Sequence, residues 1–173
     1  MSSDVLEEMN EVKSSQKIIQ KMSLKETEQF LTCARVGRLG ISLKDGPYII
    51  PVGFGYDNGK IFFHTCYKGL KMYGIRANPN VCFEVDESLS DCSMFKSIIV
   101  FGEAEIIEDR EEMLPYLQKL INKYRVQVDF AEYMSRMGRD LDKEMNIIRI
   151  VTITPRKITN RKIIRSSTDP NFL

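Results

Sequence analysis

The sequence lacks most of the residues and motifs on which common enzyme classes depend. It has no tryptophan and a single histidine, His64. It contains no G-x-S-x-G nucleophile elbow and no Walker A sequence, and Gly53-x-Gly55 lacks the remaining glycine of a dinucleotide-binding fingerprint. Hydrolases and nucleotide triphosphatases therefore have little support in this chain.

Cysteine is present without a metal-binding pattern. The four cysteines, Cys33, Cys66, Cys82 and Cys92, form no C-x-x-C pair and do not match a zinc spacing. We therefore expect no metal site and reduced, mostly buried thiols. Cys66 is the one thiol expected next to a candidate binding site, although a packing role is favoured for it.

Neither charge sign dominates, and no apolar run approaches the length of a transmembrane segment. The chain has 25 basic and 24 acidic residues, and its formal net charge of +1 gives no bulk attraction to nucleic acid or to an anionic membrane. The first ten residues lack the basic-then-apolar order of a signal peptide. We therefore expect a cytoplasmic protein with neither nucleic acid nor membrane as a partner.

The composition is that of an ordinary globular chain with one core. Its 173 residues are 43% hydrophobic and 28% charged. We expect a polar N-terminal arm over 1–21, a single domain over 22–165 and a C-terminal tail over 166–173. A capping box, Ser23-x-x-Glu26, predicts a first helix that closes one end of a small β-barrel. Two further helices are predicted outside the barrel, over 111–124 and 130–138.

Alternating apolar residues and turn signals predict the strands. Asn58-Gly59 favours a type I′ hairpin turn, because both of its central residues need positive φ. Asn78-Pro79 ends a helix and begins the next strand. The predicted strands span 38–43, 48–56, 61–66, 81–86, 97–106, 145–154 and 157–164.

Three glycines leave bare backbone on two neighbouring strands. A flat aromatic cofactor can approach main-chain groups only where side chains are absent, so Gly40, Gly53 and Gly55 are candidates for the floor of a flavin site. The alternative is that these glycines mark bends or bulges of a barrel.

The segment after the third strand has the features of a phosphate-binding corner. Thr65 offers a hydroxyl, the first turn of the next helix offers unpaired N–H groups, and Lys68 and Lys71 are predicted on one helix face with Gly69 between them. The alternative is a solvated basic face on a surface helix.

One predicted strand is apolar in succession from Ile98 to Phe101. Such a run indicates burial on both faces, which a dimer interface would provide.

Several motifs, in this order and spacing, resemble the FMN-binding split-barrel superfamily, in particular its pyridoxamine-phosphate-oxidase-like and nitroimidazole-resistance branch. They are Val36-Gly37-Arg38-Leu39-Gly40, Pro51-Val52, Ile61-Phe62-Phe63-His64 with Gly69-x-Lys71, and Arg76-x-Asn78-Pro79 continuing to Asp86. The resemblance covers Arg35 to about Ile107 and, more loosely, Met145 to Ile164. It implies an α+β fold, a six-stranded Greek-key split barrel with flanking helices, and a homodimer that binds FMN between subunits, with FAD as the alternative.

The resemblance also implies roles for particular residues. His64 lies where nitroimidazole-resistance proteins carry a histidine near the flavin, so it is the candidate catalytic residue. A structural histidine at a strand end is the alternative. Phosphate contacts are expected from Thr65, Lys71 and nearby Lys68 and Gly69. The ring or ribityl chain would be bordered by Arg38, Leu39, Gly40, Ile41, Pro51 and Val52, with Ser97 and Ile99 contributed by the other subunit.

Departures from the family narrow the expected activity. The segment 156–165 contains no histidine, so it lacks the arginine-and-histidine substrate motif of true pyridoxamine phosphate oxidases, and vitamin B6 oxidation is not expected. The missing tryptophan removes a residue that some relatives place near their C-terminal strands. We expect an oxidoreductase that passes electrons from NAD(P)H through flavin to a small organic acceptor, such as a nitroaromatic compound. The alternatives are a flavin carrier or redox sensor without turnover, and a split barrel that binds haem or a deazaflavin.

Overall fold

A computed structural model describes residues 18–89 and 94–164. The predicted tail, most of the predicted arm and Cys92 lie outside these ranges. Within them the strands are β1 (Ile18–Gln20), β2 (Val36–Leu43), β3 (Gly46–Gly53), β4 (Gly55–Asp57), β5 (Lys60–Cys66), β6 (Asn80–Ser88), β7 (Met94–Ile107) and β8 (Ile148–Ile164). The helices are α1 (Leu24–Cys33), α2 (Leu70–Ala77), α3 (Arg110–Lys123), α4 (Phe130–Arg136) and α5 (Leu141–Ile147).

All described strands belong to one antiparallel sheet, in the order β3-β2-β6-β7-β8-β5-β4, with β1 added to β8. The long strand β8 connects the two halves of this sheet. It pairs with β7 along most of its length, with β5 over Ile148–Ile153 and with β1 at its end. The mainly antiparallel α+β class is thus confirmed, with eight strand segments where the resemblance implied six.

The apolar side chains form two cores on opposite sides of β5 and β8. The first fills the barrel and includes Leu31, Phe54, Phe63 and Phe83, each 0% exposed. Leu31 brings α1 into this core, as expected for a helix that closes the barrel. The second core lies outside the barrel, where α3, α4 and α5 cover Phe62 and Ile150. Alternation along β5 therefore points neighbouring side chains into different cores.

Two local predictions are confirmed in detail. The Ser23 hydroxyl accepts a hydrogen bond from the Glu26 N–H at 3.2 Å, and the Glu26 carboxylate accepts one from the Ser23 N–H at 2.8 Å, which completes the capping box. At the hairpin between β4 and β5, Asn58 has a φ of 48° and Gly59 a φ of 77°. Both values are positive, as a type I′ turn requires.

The long strand predicted over 48–56 is divided at Phe54, whose N–H donates to the Arg35 carbonyl at 3.3 Å. Gly55 then begins β4, and a Cβ on Gly55 would lie 2.2 Å from the Phe62 ring. Gly55 therefore serves packing inside the protein, and its predicted place in a cofactor floor is wrong. Gly40 lies on the outer face of the sheet, where its ideal Cβ would contact Cys82, at 3.4 Å from the Cys82 carbonyl oxygen.

The C-terminal predictions need two corrections. The strand predicted from Met145 begins only at Ile148, because Asp140 caps α5 by accepting from the Lys143 N–H at 2.9 Å. The predicted break at Pro155-Arg156 is also absent. β8 continues through it with a register shift opposite Phe101 and Gly102, a bulge that accommodates the proline.

Two of the thiols expected to be mostly buried are exposed, Cys33 and Cys66. Cys82 is half-buried. In the part of the chain that the structure describes, no cluster of histidine, cysteine and carboxylate side chains is suited to a metal ion. No helix in the same ranges is both long and apolar enough to cross a membrane.

Candidate functional site

The segment between β5 and α2 forms a tight, anchored corner. Gly69 precedes α2 with a φ of 116°, a backbone conformation that favours glycine. The Tyr67 N–H donates to the Ile147 carbonyl at 2.8 Å, and the Tyr67 carbonyl accepts from Arg76 Nη1 at 3.2 Å. The corner is thus joined both to the residue that precedes β8 and to the end of α2.

Lys71 and Thr65 both lie at this corner. Lys71 is half-buried, with its Nζ 5.6 Å from the centroid of the Phe63 ring. Burial lowers the pKa of Lys71, and the nearby Cys66 opposes that shift. Thr65 is 8% exposed. A partly desolvated ammonium group is suited to an anion, because an opposite charge compensates its burial.

The sequence predicted Lys68 and Lys71 on one helix face, and the structure shows that this prediction is wrong. The helix begins only at Leu70, after Gly69 turns the chain, so Lys68 precedes it. The Lys68 ammonium group is exposed and lies 5.4 Å from the centroid of the Tyr67 ring. The predicted pair is therefore reduced to one lysine on the helix and one on the preceding bend.

Two arginines that the sequence analysis did not assign to the site also lie at the corner. Arg149 stands directly opposite Thr65 in the pairing of β5 with β8. Its Nε is buried without a hydrogen-bond partner among the described residues, 3.9 Å from a Glu108 carboxylate oxygen. Arg76 pairs with the same carboxylate at 3.0 Å. Only the strand register reveals Arg149, because it is far from Thr65 in sequence.

A groove of about 530 Å³ crosses the outer face of the sheet. Arg38 lies in it and pairs with Glu84 at 2.8 Å and with Asp86. These two hydrogen-bonded carboxylates raise the pKa of Arg38. Arg156 donates to Asn80 at 2.6 Å and also pairs with Glu103. Between the two arginines the groove is bordered mainly by Gly40, Ser42, Pro47, Ile49, Cys82 and Phe101.

The predicted ring-binding residues divide between the two faces of the sheet. Gly40 and exposed Arg38 and Pro51 lie on the outer face. Leu39 is 0% exposed and faces the barrel core. The side chains of Ile41 and Val52 are buried in that core too, so these three residues offer a ligand only their backbone.

The outer face of β7 is only partly covered by the described residues. Phe101 is 46% exposed, Ser97 and Ile99 are half-buried, and Ile98 faces the core at 0% exposed. The apolar run predicted to be buried on both faces is therefore buried on one face and partly exposed on the other, as far as the structure describes the chain.

His64 lies on the other side of the protein from the barrel core, at the mouth of a cavity beneath α3, α4 and α5. The residue is exposed at this mouth, while surrounding protein atoms partly desolvate its ring. That desolvation lowers the pKa of His64, and the positive charge of Lys71 lowers it further. The lowered pKa favours the neutral imidazole, in which one ring nitrogen can accept a hydrogen bond.

The described fold and site define the class of the protein. The antiparallel sheet and its helices form a split barrel of the FMN-binding, pyridoxamine-phosphate-oxidase-like superfamily. The family model described as pyridoxamine 5'-phosphate oxidase matches residues 23–162. The chain belongs to this family.

Solved structures share the fold at low sequence identity. A proposed 5-nitroimidazole antibiotic resistance protein from Bacteroides thetaiotaomicron superposes with a TM-score of 0.70 at 22% identity, over 86% of this chain and 90% of the other. A FAD-binding protein from Mesorhizobium loti gives 0.61 at 24%, over 85% and 98%. An F420 reductase gives 0.55 at 22%, over 76% and 94%. Among curated proteins, none matches this chain in sequence.

Proposed function

We propose that the protein binds FMN, with its phosphate at the corner formed by Thr65 and Lys71. The observation that carries this proposal is the concentration of cations there. Lys68, Lys71, Arg76 and Arg149 surround one bend of the chain, and Glu108 is the carboxylate paired with both arginines. The free N–H groups at the start of α2 add to the attraction for a phosphate.

The outer groove supports a site for the rest of the cofactor. Gly40 leaves its backbone accessible, and the apolar side chains of Ile49 and Phe101 offer contacts for a flat ring. Arg38 is held by two carboxylates, so it would orient a ligand through its remaining donors or exchange one of these partners. FAD remains the alternative to FMN, because the corner itself selects only a phosphate.

We further propose a homodimer whose subunits meet through the outer sheet face. Ile49 is 67% exposed and Phe101 is 46% exposed, and a second copy would cover both. In this arrangement, Ser97 and Ile99 of one subunit border the cofactor that is held at the corner of the other.

The proposed activity is electron transfer from NAD(P)H to a small organic acceptor. A bound flavin supplies hydride and electron chemistry, while the protein supplies binding and orientation. Lys71 would hold the phosphate, and His64 would offer a neutral imidazole to an acceptor as a hydrogen-bond partner. The named nitroimidazole-resistance protein with this fold supports a nitroaromatic acceptor. The named F420 reductase favours a deazaflavin as the second candidate ligand.

Titration with FMN tests the site. Replacing Lys71 by glutamine removes a charge-assisted hydrogen bond worth about 1.5–3 kcal/mol, so FMN affinity is expected to fall about 10- to 150-fold. Lys60→Gln is the matched control, because Lys60 begins β5 at the end of that strand opposite the Thr65–Lys71 corner. Equal affinity in the two variants would contradict the placement of the phosphate.

Consumption of NADPH or NADH with nitrobenzene as acceptor tests turnover. Steady consumption that depends on bound flavin is the expected result. Flavin that stays bound but is never reduced would contradict the oxidoreductase and favour the carrier or sensor. A colourless protein that binds a deazaflavin would favour the second candidate ligand.

A further inference from the structure

The cavity beneath α3, α4 and α5 is separate from the outer groove. It has a volume of about 220 Å³ and shares no lining residue with the groove. Leu117, Leu120 and Ile121 of α3 form one wall, and Phe130 and Met134 of α4 form another. These side chains are at most 7% exposed, so the walls belong to the second core.

The volume limits the size of a ligand. An apolar cavity of about 150 Å³ accommodates benzene, and sites for drug-sized molecules start at about 300 Å³. A cavity of 220 Å³ therefore suits one ring or two fused rings. It is too small for a complete flavin nucleotide.

The polar groups at the cavity favour a ligand without net charge. Arg139 and Glu144 both border it, and they form an ion pair with each other at 3.5 Å. The remaining polar side chains are the imidazole of His64 and the phenols of Tyr124 and Tyr133. These groups donate or accept hydrogen bonds without needing a charged partner.

The backbone leaves room for one of these phenols. A Cβ on Gly53 would lie 3.0 Å from the Tyr124 hydroxyl, so the bare glycine permits that hydroxyl to approach β3. Met134 and Met137 complete the lining next to Tyr133. Methionine adapts to flat ligands of different outline and makes favourable contacts with aromatic rings.

We propose that this cavity binds a neutral aromatic compound of one or two rings whose polar edge hydrogen-bonds to His64. The ligand class is inferred from the residues that line the cavity. Only the use of the cavity as the electron-acceptor site rests on the proposed function. In that use, the acceptor would occupy a compartment distinct from the cofactor groove, with His64 at its mouth.

Indole is a suitable probe because it is neutral, has two fused rings and donates one hydrogen bond. Its dissociation constant is measured by ligand-observed NMR with the full-length protein as purified, without NAD(P)H. Ile121→Phe places a larger side chain on the cavity wall. Met113→Phe is the matched control, since Met113 belongs to the same helix and the same core but does not line the cavity.

We expect saturable binding of indole to the wild-type protein, at least tenfold weaker binding to Ile121→Phe, and binding within twofold of wild type for Met113→Phe. Thermal melts confirm that both variants fold, because overpacking a core destabilises it. If Ile121→Phe does not fold, His64→Leu takes its place, with an expected loss of at least threefold.

Absence of saturable binding to the wild-type protein would overturn the proposal, as would equal weakening by both substitutions. Flavin content is measured in a separate experiment, from the visible absorption of the bound flavin. Indole binding to a protein that takes up no flavin would leave the cavity assignment intact while refuting the proposed function. Flavin binding without indole binding would refute the cavity assignment and leave the proposed function intact.

Discussion

Lys123 offers a prediction whose size follows from the structure. Its ammonium group donates to the carbonyls of Ala34 and Phe54, the latter at 2.9 Å, and lies 4.3 Å from the centroid of the Phe54 ring. Lys123 therefore connects the C-terminal end of α3 to Ala34, which precedes β2, and to Phe54, which follows β3. Burial lowers the pKa of Lys123 from 10.5 to about 8, with Cys33 opposing the shift and Arg35 adding to it.

The direction of the pH dependence follows from this lowered pKa. Between pH 8 and 10.5 the unfolded chain keeps a proton on Lys123 that the folded protein releases, so the free energy of unfolding rises with pH. The full pKa difference corresponds to about 3 kcal/mol, of which linkage places about 2 kcal/mol between pH 7 and 9.5. Partial solvent access and the two carbonyl acceptors reduce the expected rise to about 1–1.5 kcal/mol.

Urea unfolding of the wild type and of Lys123→Met, measured at intervals from pH 7 to 9.5, isolates this contribution. Subtracting the two curves cancels the titration of groups that are common to both proteins. We expect the difference in the free energy of unfolding to shift by about 1–1.5 kcal/mol in favour of the wild type as pH rises. A constant difference over this range would show that Lys123 keeps an ordinary pKa and would refute the reasoning.

Three further predictions concern the cap, a packing glycine and the histidine. Ser23→Ala removes the cap of α1 and should lower the free energy of unfolding by about 1 kcal/mol in urea titrations, whereas Thr32→Ala on the exposed face should change it less. Gly55→Ala brings a methyl group to 2.2 Å from the Phe62 ring and should cost about 1–3 kcal/mol; an unchanged midpoint would contradict the close packing. The single imidazole should titrate below pH 6.5 by NMR, and Lys71→Gln should raise its midpoint; a midpoint above 6.5 would contradict the desolvation of His64.

Local signals in the sequence predicted the elements that depend on neighbouring residues. The capping box at Ser23 and the turn at Asn58-Gly59 each contain their own stabilising geometry within a few residues, so both predictions are confirmed. α5 was missed because Met145–Ile147 fits a strand as well as a helix. The decisive signal was the cap at Asp140, which precedes the apolar residues.

Contacts between distant residues explain most of what the sequence did not predict at the site. The approach of Arg149 to Thr65 depends on the register of β5 with β8, and the pairing of Arg38 with Glu84 depends on that of β2 with β6. The position of Lys68 depended on where α2 begins, which the left-handed conformation of Gly69 decides. The phosphate-binding role of Lys71 and the catalytic role of His64 stay predictions.

The most direct measurement is the visible absorption spectrum of the freshly purified protein, followed by mass spectrometry of any ligand released on denaturation. Flavin released at about one molecule per subunit is the predicted result, and the mass distinguishes FMN from FAD. A protein that remains colourless after incubation with both flavins would contradict the assignment of the Thr65–Lys71 corner and the outer groove to a flavin.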